Sequence, residues 1–290
     1  MYTKQLPFFM RVISPLHVGT GSDIGIIDMP IQREKHTNFP KVESSSLKGA
    51  LREDFESRFP KDERIILTFG PESGADHAGA FSVTDATTLF FPVKSAKGIY
   101  ALITCHEVLA RYNEHCGVIG TSPLDIKEIS DLKVLNDKNC VPFNSSNFVI
   151  NNNVVLEEYA FEIENKTINS IKNHFSFLNT DRMVVVSNET FRDFVALSTE
   201  VITRNKIDNT TGTVAPGALF SEEYLPPETV LFSLLQNGPV NKDRSQGKNL
   251  VLDTDTDVQT FLKDNFPKVF QLGGNATIGK GIIKVYGMGV

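Results

Sequence analysis

The chain has 290 residues, room for one large domain or two modest ones, and its 40% hydrophobic and 22% charged content excludes disordered, collagenous and coiled-coil classes. Its 29 Lys and Arg against 35 Asp and Glu leave a net charge of −6, so a globally basic surface is ruled out and any polyanion site has to be locally basic. There is no run of about 18 apolar residues and no secretory h-region at the start. The three scattered cysteines (Cys105, Cys116, Cys140) suit a reducing compartment, so the expectation is a cytoplasmic protein with no membrane partner.

Residues 5–14 alternate loosely and stop at Pro15, which predicts a first strand feeding a loop over residues 15–40. Ser44 is then placed to cap an amphipathic helix carrying Leu47, Ala50, Leu51, Phe55 and Phe59, ended by Pro60. Strands are predicted at 80–84, 88–93 and 99–104, with a helix at 106–114. Residues 117–153 lose periodicity and gather Asn and Ser, which predicts a surface insertion. A strand at 154–164, a helix at 167–178, a strand at 183–186 and a helix at 188–197 follow. Residues 201–208 and 213–223 form the arms of a long hairpin with little apolar content, within a segment spanning 199–225. A strand at 229–235, a helix at 253–266, a glycine-rich turn and a strand at 282–286 close the chain. Strands adjacent in sequence and mixed with helices indicate an α+β fold with an antiparallel sheet. The hairpin has to stand on a core or lie on a partner, because so polar a pair does not fold alone.

Several motifs fall short of a known chemistry. Gly274-Asn275-Ala276-Thr277-Ile278-Gly279-Lys280 nearly completes a Walker loop, but Gly281 stands where Ser or Thr is needed and no helix can follow. Lys280 on this turn either meets another polyanion or belongs to a structural turn. Gly19 to Gly25 has one residue too many for a dinucleotide fingerprint. Cys105-His106 and His115-Cys116 flank a helix at an offset that does not converge on one zinc ion. No Gly-x-Ser-x-Gly or His-Glu-x-x-His occurs. The informative stretch is 16–52. Its loop gathers His17, Asp23, Asp28, Gln32, Arg33, Lys35 and His36, and the helix presents Lys48 and Arg52 on one face. Ser44, Ser45 and Ser46 sit at the helix start, where N–H groups and the dipole favour phosphate. Gly49 between the two bases leaves space for a strand of backbone to approach; the other reading of this stretch is a solvated basic face.

The wording of Leu16-His17-Val18-Gly19-Thr20-Gly21, of Gly25 to Thr37 (GIIDMPIQREKHT) and of Ser45-Ser46-Leu47-Lys48-Gly49-Ala50-Leu51-Arg52 resembles the RAMP-superfamily backbone subunit of type III-B CRISPR (Cmr) effector complexes. Residues 78–86, Phe91 to Ser95, the hairpin from Thr203 to Phe220, Glu222-Glu223-Tyr224-Leu225-Pro226 and the last glycine-rich turn match in the same order. Residues 117–153 have no counterpart. The resemblance implies a single RAMP domain over 1–290, with an RRM-like (ferredoxin-like) palm, a catalytic loop at 15–40 and a projecting β-hairpin thumb at 199–225. It also implies assembly with copies of itself and with other Cmr subunits along crRNA, and cutting of complementary target RNA at regular intervals. By the same resemblance Asp28 is the catalytic aspartate; because Mg²⁺ often takes only one or two carboxylates, a divalent metal (Mg or Mn) at Asp28 is expected as well, with no organic cofactor. His17 is a candidate for secondary proton transfer or RNA contact, with a purely local structural role as its other reading, and Glu222 and Tyr224 at the thumb base are candidates for positioning. Arg33, Lys35, Ser45, Ser46, Lys48, Arg52, Lys94, Arg204, Lys206 and Lys280 are the expected RNA contacts. The alternative is a non-catalytic, architectural crRNA-binding backbone, identical except for the role of Asp28.

Overall fold

The computed structural model describes residues 2–21, 25–72, 77–133, 135–205, 207–208, 210–215, 219–241 and 251–288. The α+β class is borne out. The chain folds as two compact units built from interleaved segments. The first comprises Met1–Val18, Val42–Thr87 and Phe232–Val290, and the second Gly19–Lys41 and Thr88–Leu231.

In the first unit, strand Lys4–Val12 pairs antiparallel with Ile282–Tyr286, in register from Phe9 opposite Tyr286 to Val12 opposite Ile283. Strand Val269–Gln271 flanks Ile282–Tyr286 on its other edge. On the far side of Lys4–Val12 lies strand Val230–Asn237, which belongs to this unit from Phe232 onward, and Phe81–Val83 pairs with its end. Helix Ser44–Arg58 follows the first strand and helix Asp255–Asn265 follows the third. The succession is therefore strand, helix, strand, strand, helix, strand, with the four main strands in the spatial order fourth, first, third, second. Leu47, Leu51 and Phe55, four residues apart on one helical face, are fully buried. Phe55 meets Phe69 and Phe261 at centroid distances of 5.3 and 5.7 Å, and Phe69 meets Phe81 at 5.1 Å, an aromatic core that joins both helices to the sheet.

Ser44 does not cap its helix. Glu43 holds the cap position without a side-chain bond, and the Ser44 N–H donates to Asp85 Oδ1 at 2.9 Å, so the terminus is closed from another part of the chain. Thr254, by contrast, forms a full capping box with Asp257 before Asp255–Asn265.

In the second unit, strand Ala86–Ser95, which belongs to it from Thr88 onward, forms a hairpin with Ile99–Cys105, and Met183–Val186 pairs parallel with Ile99–Cys105. Residues 117–153 are not a surface insertion. They carry helix Ile126–Leu132 and strand Asn139–Pro142, which lies between Met183–Val186 and Tyr159–Ile163 and buries Cys140 and Val141. The predicted strand at 154–164 is a tight hairpin, Asn153–Leu156 with Tyr159–Ile163, turning at Glu157 with φ of 48°. The helix expected at 167–178 is confined to Asn169–His174, whereas strand Met183–Val186 and helix Asn188–Leu197 keep their expected bounds. No helix among the described residues is long and apolar enough to cross a membrane.

Tyr112 Oη and His174 Nε2 lie 2.7 Å apart, and Phe175 packs on both rings. Burial holds His174 below the ordinary imidazole pKa, and burial lowers His106 and His115 likewise. A histidine whose folded pKa lies below the unfolded value of about 6.5 contributes its full stability above that pH. The contribution is lost as pH falls from there through the folded value. Thermal melts are therefore expected to give a flat midpoint above pH 7 and a decline as the pH falls below about 6.5. His174→Gln is expected to remove part of that decline, and an unchanged slope would contradict the assignment.

Candidate catalytic loop and RNA-contact surfaces

The loop from Gly19 to Lys41 has little helical or strand periodicity, yet it is closely tied. Gly19 bridges to Ile31 and Arg33 to Pro40, while Ile31 and Phe39 are buried as its apolar anchors. Glu34 accepts two bonds of 2.8 Å from Arg111 Nη1 and a third from Thr37 Oγ1 at 2.5 Å. Asn38, at φ of 63°, lets the chain reverse so that the Glu34 N–H reaches the Phe39 carbonyl.

Strand Phe220–Tyr224 pairs antiparallel with Glu200–Arg204, from Glu200 opposite Tyr224 to Arg204 opposite Phe220. Ile207 bridges to Val214, and Asp208 closes the turn by accepting from Thr210 and Thr211 N–H groups. The loop lies along Phe220–Tyr224. The Met29 N–H donates to the Ser221 carbonyl and the Glu223 N–H to the Met29 carbonyl, both at 3.0 Å.

Alternation along this strand sends Ser221 and Glu223 to one face and Glu222 and Tyr224 to the other. On the first face Asp28 Oδ2 accepts from the Ser221 N–H at 2.7 Å and from its hydroxyl at 2.8 Å. Glu223, 3% exposed, accepts from Arg33 Nη2 at 2.5 Å, from Thr199 Oγ1 at 2.8 Å and from the Ile31 N–H at 3.0 Å. Asp28 itself is exposed, and the two donors of Ser221 hold its carboxyl below the usual carboxylate range. It is ionised at neutral pH and a weak base, suited to orienting a hydroxyl or holding a cation.

On the second face Glu222 accepts from Arg204 Nη1 and from Tyr224 Oη, each at 2.7 Å. Glu222 and Tyr224 are both buried, and desolvation followed by the Glu222 bond pushes the Tyr224 phenol up to about 12. This network braces the root of the hairpin. Arg204 serves it as well through Nη1, with its side chain 31% exposed. Arg33 is internal. Besides Glu223, it donates to the carbonyls of Asn38 and Val195 at 3.0 Å and is 16% exposed. Lys35 and Lys94 are exposed. Lys206 lies outside the described residues.

In the first unit His17 is 7% exposed beneath the last glycine-rich turn. The Gly274 N–H donates to its carbonyl at 2.9 Å, and a Cβ on Gly273 would stand 2.2 Å from that same oxygen. The backbone of His17 thus holds the turn closely, and its side chain is buried. The turn itself brackets the short 3₁₀ helix Ala276–Ile278 between left-handed Asn275 and Gly279 and runs into a strand, which is no phosphate-binding P-loop. Lys280 beside it is half-exposed.

At the start of helix Ser44–Arg58, Ser45 is exposed and Ser46 half-exposed, at a terminus whose first-turn N–H groups have no intrahelical partner. The half-buried Lys48 lies 6.0 Å from the Phe81 ring centroid; burial and then neighbouring Arg52 pull its pKa down. Nothing lies within 4 Å of a Cβ built on Gly49. Arg52, 22% exposed, already has partners within the chain. It donates to Glu56 at 2.7 Å and to the Gly70 carbonyl at 3.0 Å, fastening the helix to the segment that follows.

The cysteines at the ends of helix His106–Val118 are buried, and burial pushes the Cys105 thiol up to about 12, so neither it nor its neighbours form a thiolate site. Among the described residues no group of three or more His, Cys, Asp and Glu is placed to hold a metal.

The family model of the RAMP superfamily matches residues 9–284. The CRISPR system Cmr endoribonuclease Cmr4 of Pyrococcus furiosus is 35% identical over 292 residues, covering 95% of this chain and 93% of the relative. The CRISPR system CMR subunit Cmr4 of Saccharolobus solfataricus is 26% identical over 316 residues, covering 98% and 96%. Among solved structures, a chain of the Type III-B Cmr-beta bound to cognate target RNA superposes with a TM-score of 0.77 at 25% identity, covering 98% of this chain and 97% of that one. Oligomeric Cmr4 from Pyrococcus furiosus gives a TM-score of 0.73 at 30% identity, with the same coverage.

Proposed function

The chain belongs to the RAMP superfamily, and from that premise we propose that it is the guide-RNA-binding backbone subunit of a type III-B CRISPR effector and the endoribonuclease that cuts complementary target RNA. A relative named for endoribonuclease activity and a similar chain in a complex holding target RNA support this reading. The observation that carries it is Asp28: an exposed, ionised carboxylate on a loop bonded along the root of a hairpin. The strand-helix-strand-strand-helix-strand unit supports an RRM-like palm, and the polar hairpin from Glu200 to Tyr224 supports a thumb that gains its full contacts in an assembly. Oligomeric Cmr4 as a structural relative supports side-by-side copies along crRNA, together with other subunits of the complex.

RNA carries its own nucleophile in the 2′-OH, so a nuclease has to align that oxygen with the scissile P–O bond and assist proton transfer or charge build-up. Asp28 is fitted to the alignment. Its Oδ2 is held by Ser221, which fixes the plane of the carboxylate and leaves Oδ1 as the oxygen that meets the 2′-OH. Among the described residues no set of side chains is placed to hold a metal by itself, so a divalent cation of the Mg or Mn class would meet Asp28 as its one protein carboxylate and take its remaining ligands from water and the RNA phosphates. When bound it would supply charge for the oxygens of the reacting phosphate.

Guide contacts fall to the exposed Lys35 and Lys94, to Ser45, Ser46 and Lys48 at the helix start with open space at Gly49, and to Lys280 beside the glycine turn. Phosphate contacts of this kind hold an RNA without reading its sequence, and base pairing to the guide selects the target. The complex purified from its native source should therefore carry RNA. It should cut a complementary transcript at evenly spaced positions and leave a non-complementary one intact. Absence of co-purified RNA, or cuts without regular spacing, would contradict the reading.

A further inference from the structure

The Ser221 hydroxyl makes two bonds to one residue. It accepts from the Asp28 N–H at 3.0 Å and donates to Asp28 Oδ2 at 2.8 Å, while the Ser221 N–H donates to the same Oδ2 at 2.7 Å. Backbone bonds between Met29 and both Ser221 and Glu223 close the ladder on either side. A serine hydroxyl has one proton to give and two lone pairs. Here the bond it accepts from the Asp28 backbone sets its rotor so that the proton points at the Asp28 side chain. An exposed aspartate on a loop otherwise samples its rotamers freely, and most of them turn the carboxylate away from any fixed reacting atom.

Resting on the reading of Asp28 as the cutting group, we propose that Ser221 is a positioning residue for target-RNA cleavage: it fixes the Asp28 carboxylate on the thumb root and presents Oδ1 to the scissile linkage. Because Ser221 is a hairpin residue, the orientation of the carboxylate is tied to the strand that carries the thumb. Glu222 and Tyr224, which face the other way, brace the hairpin and do not set the carboxylate.

The test uses the reconstituted complex under single-turnover conditions with saturating target. Ser221→Ala keeps the backbone donor and removes both hydroxyl bonds. It is expected to slow cutting about 10- to 100-fold, with unchanged affinity for a target carrying 2′-deoxy residues at the cut sites. Ser221→Thr, which restores a hydroxyl on the same carbon, should recover most of the rate. In an Asp28→Ala background, Ser221→Ala should add no further loss. Cutting by Ser221→Ala within twofold of the unaltered complex would overturn the proposal. So would a rate loss matched by an equal loss of affinity and not recovered by Ser221→Thr. The two readings separate cleanly: an inactive Asp28→Ala beside a fully active Ser221→Ala removes only the role of Ser221, whereas a fully active Asp28→Ala removes the catalytic reading and this one with it.

Discussion

Arg33→Ala and Glu223→Ala are each expected to destabilise the chain by about 3–5 kcal/mol, the range seen when one member of a buried ion pair is removed. Glu223 is 3% exposed and Arg33 16%, and each has further bonds beyond the pair, to Thr199, Ile31, Asn38 and Val195. Deleting Arg33 leaves a buried carboxylate without its cation. Deleting Glu223 leaves a guanidinium facing carbonyls that cannot neutralise it. The pair of apolar replacements, Arg33→Met with Glu223→Met, removes both charges at once and should recover a large part of the loss, because neither buried charge is then stranded. Thermal melting of the three variants measures this. Single variants within about 0.5 kcal/mol of the unaltered chain, the usual range for surface positions, would contradict the assignment of a buried latch. Where the singles still fold, cutting should fall as well, since the same latch frames the segment that carries Asp28.

Asp28→Ala should lower the rate of target cutting by about 10²–10⁴-fold, the scale of a well-placed proton-transfer or orienting group. Target affinity should stay as it was. Asp28 is exposed and its partner Ser221 keeps water access, so its removal strands no buried charge and leaves the fold intact. Asp28→Asn is the sharper variant. An amide oxygen can still accept from the Ser221 N–H and hydroxyl, so geometry is retained while charge is lost. Because the carboxylate is held below its usual range and is fully ionised at neutral pH, it is the charge that the site supplies, and Asp28→Asn should be as slow as Asp28→Ala.

Much of this arrangement is legible in the sequence where the cause is local. Met183–Val186, Asn188–Leu197 and Ile282–Tyr286 keep their predicted bounds because an apolar run, a Ser187 cap and a flanking glycine turn settle them within a few residues. Legibility fails where the cause is distant. Ser44 has the composition of a cap, but Asp85 takes its N–H. Strand Asn139–Pro142 is too short to declare itself and is buried only because Met183–Val186 and Tyr159–Ile163 flank it. Residues 157–158 are two glutamates, with no Gly, Asn or Pro to mark the turn that splits the predicted strand. In the site, Asp28 stands out by its place in a charged loop, whereas Ser221, 193 residues away, carries no signal except the two-residue alternation that separates it from Glu222. The basic residues illustrate the same limit. Arg33, Arg52 and Arg204 are all expected RNA contacts, but each has a carboxylate partner, and of these only Glu56, four residues from Arg52 on its helix, is legible from spacing.

The most direct measurement resolves, on one denaturing gel, the products of a complementary RNA incubated with complexes assembled from the unaltered chain or from Asp28→Asn, alongside target binding by both. Loss of every evenly spaced cut in the Asp28→Asn complex, with target binding unchanged, is the predicted result. A ladder that persists at undiminished intensity would show that this carboxylate does not cut.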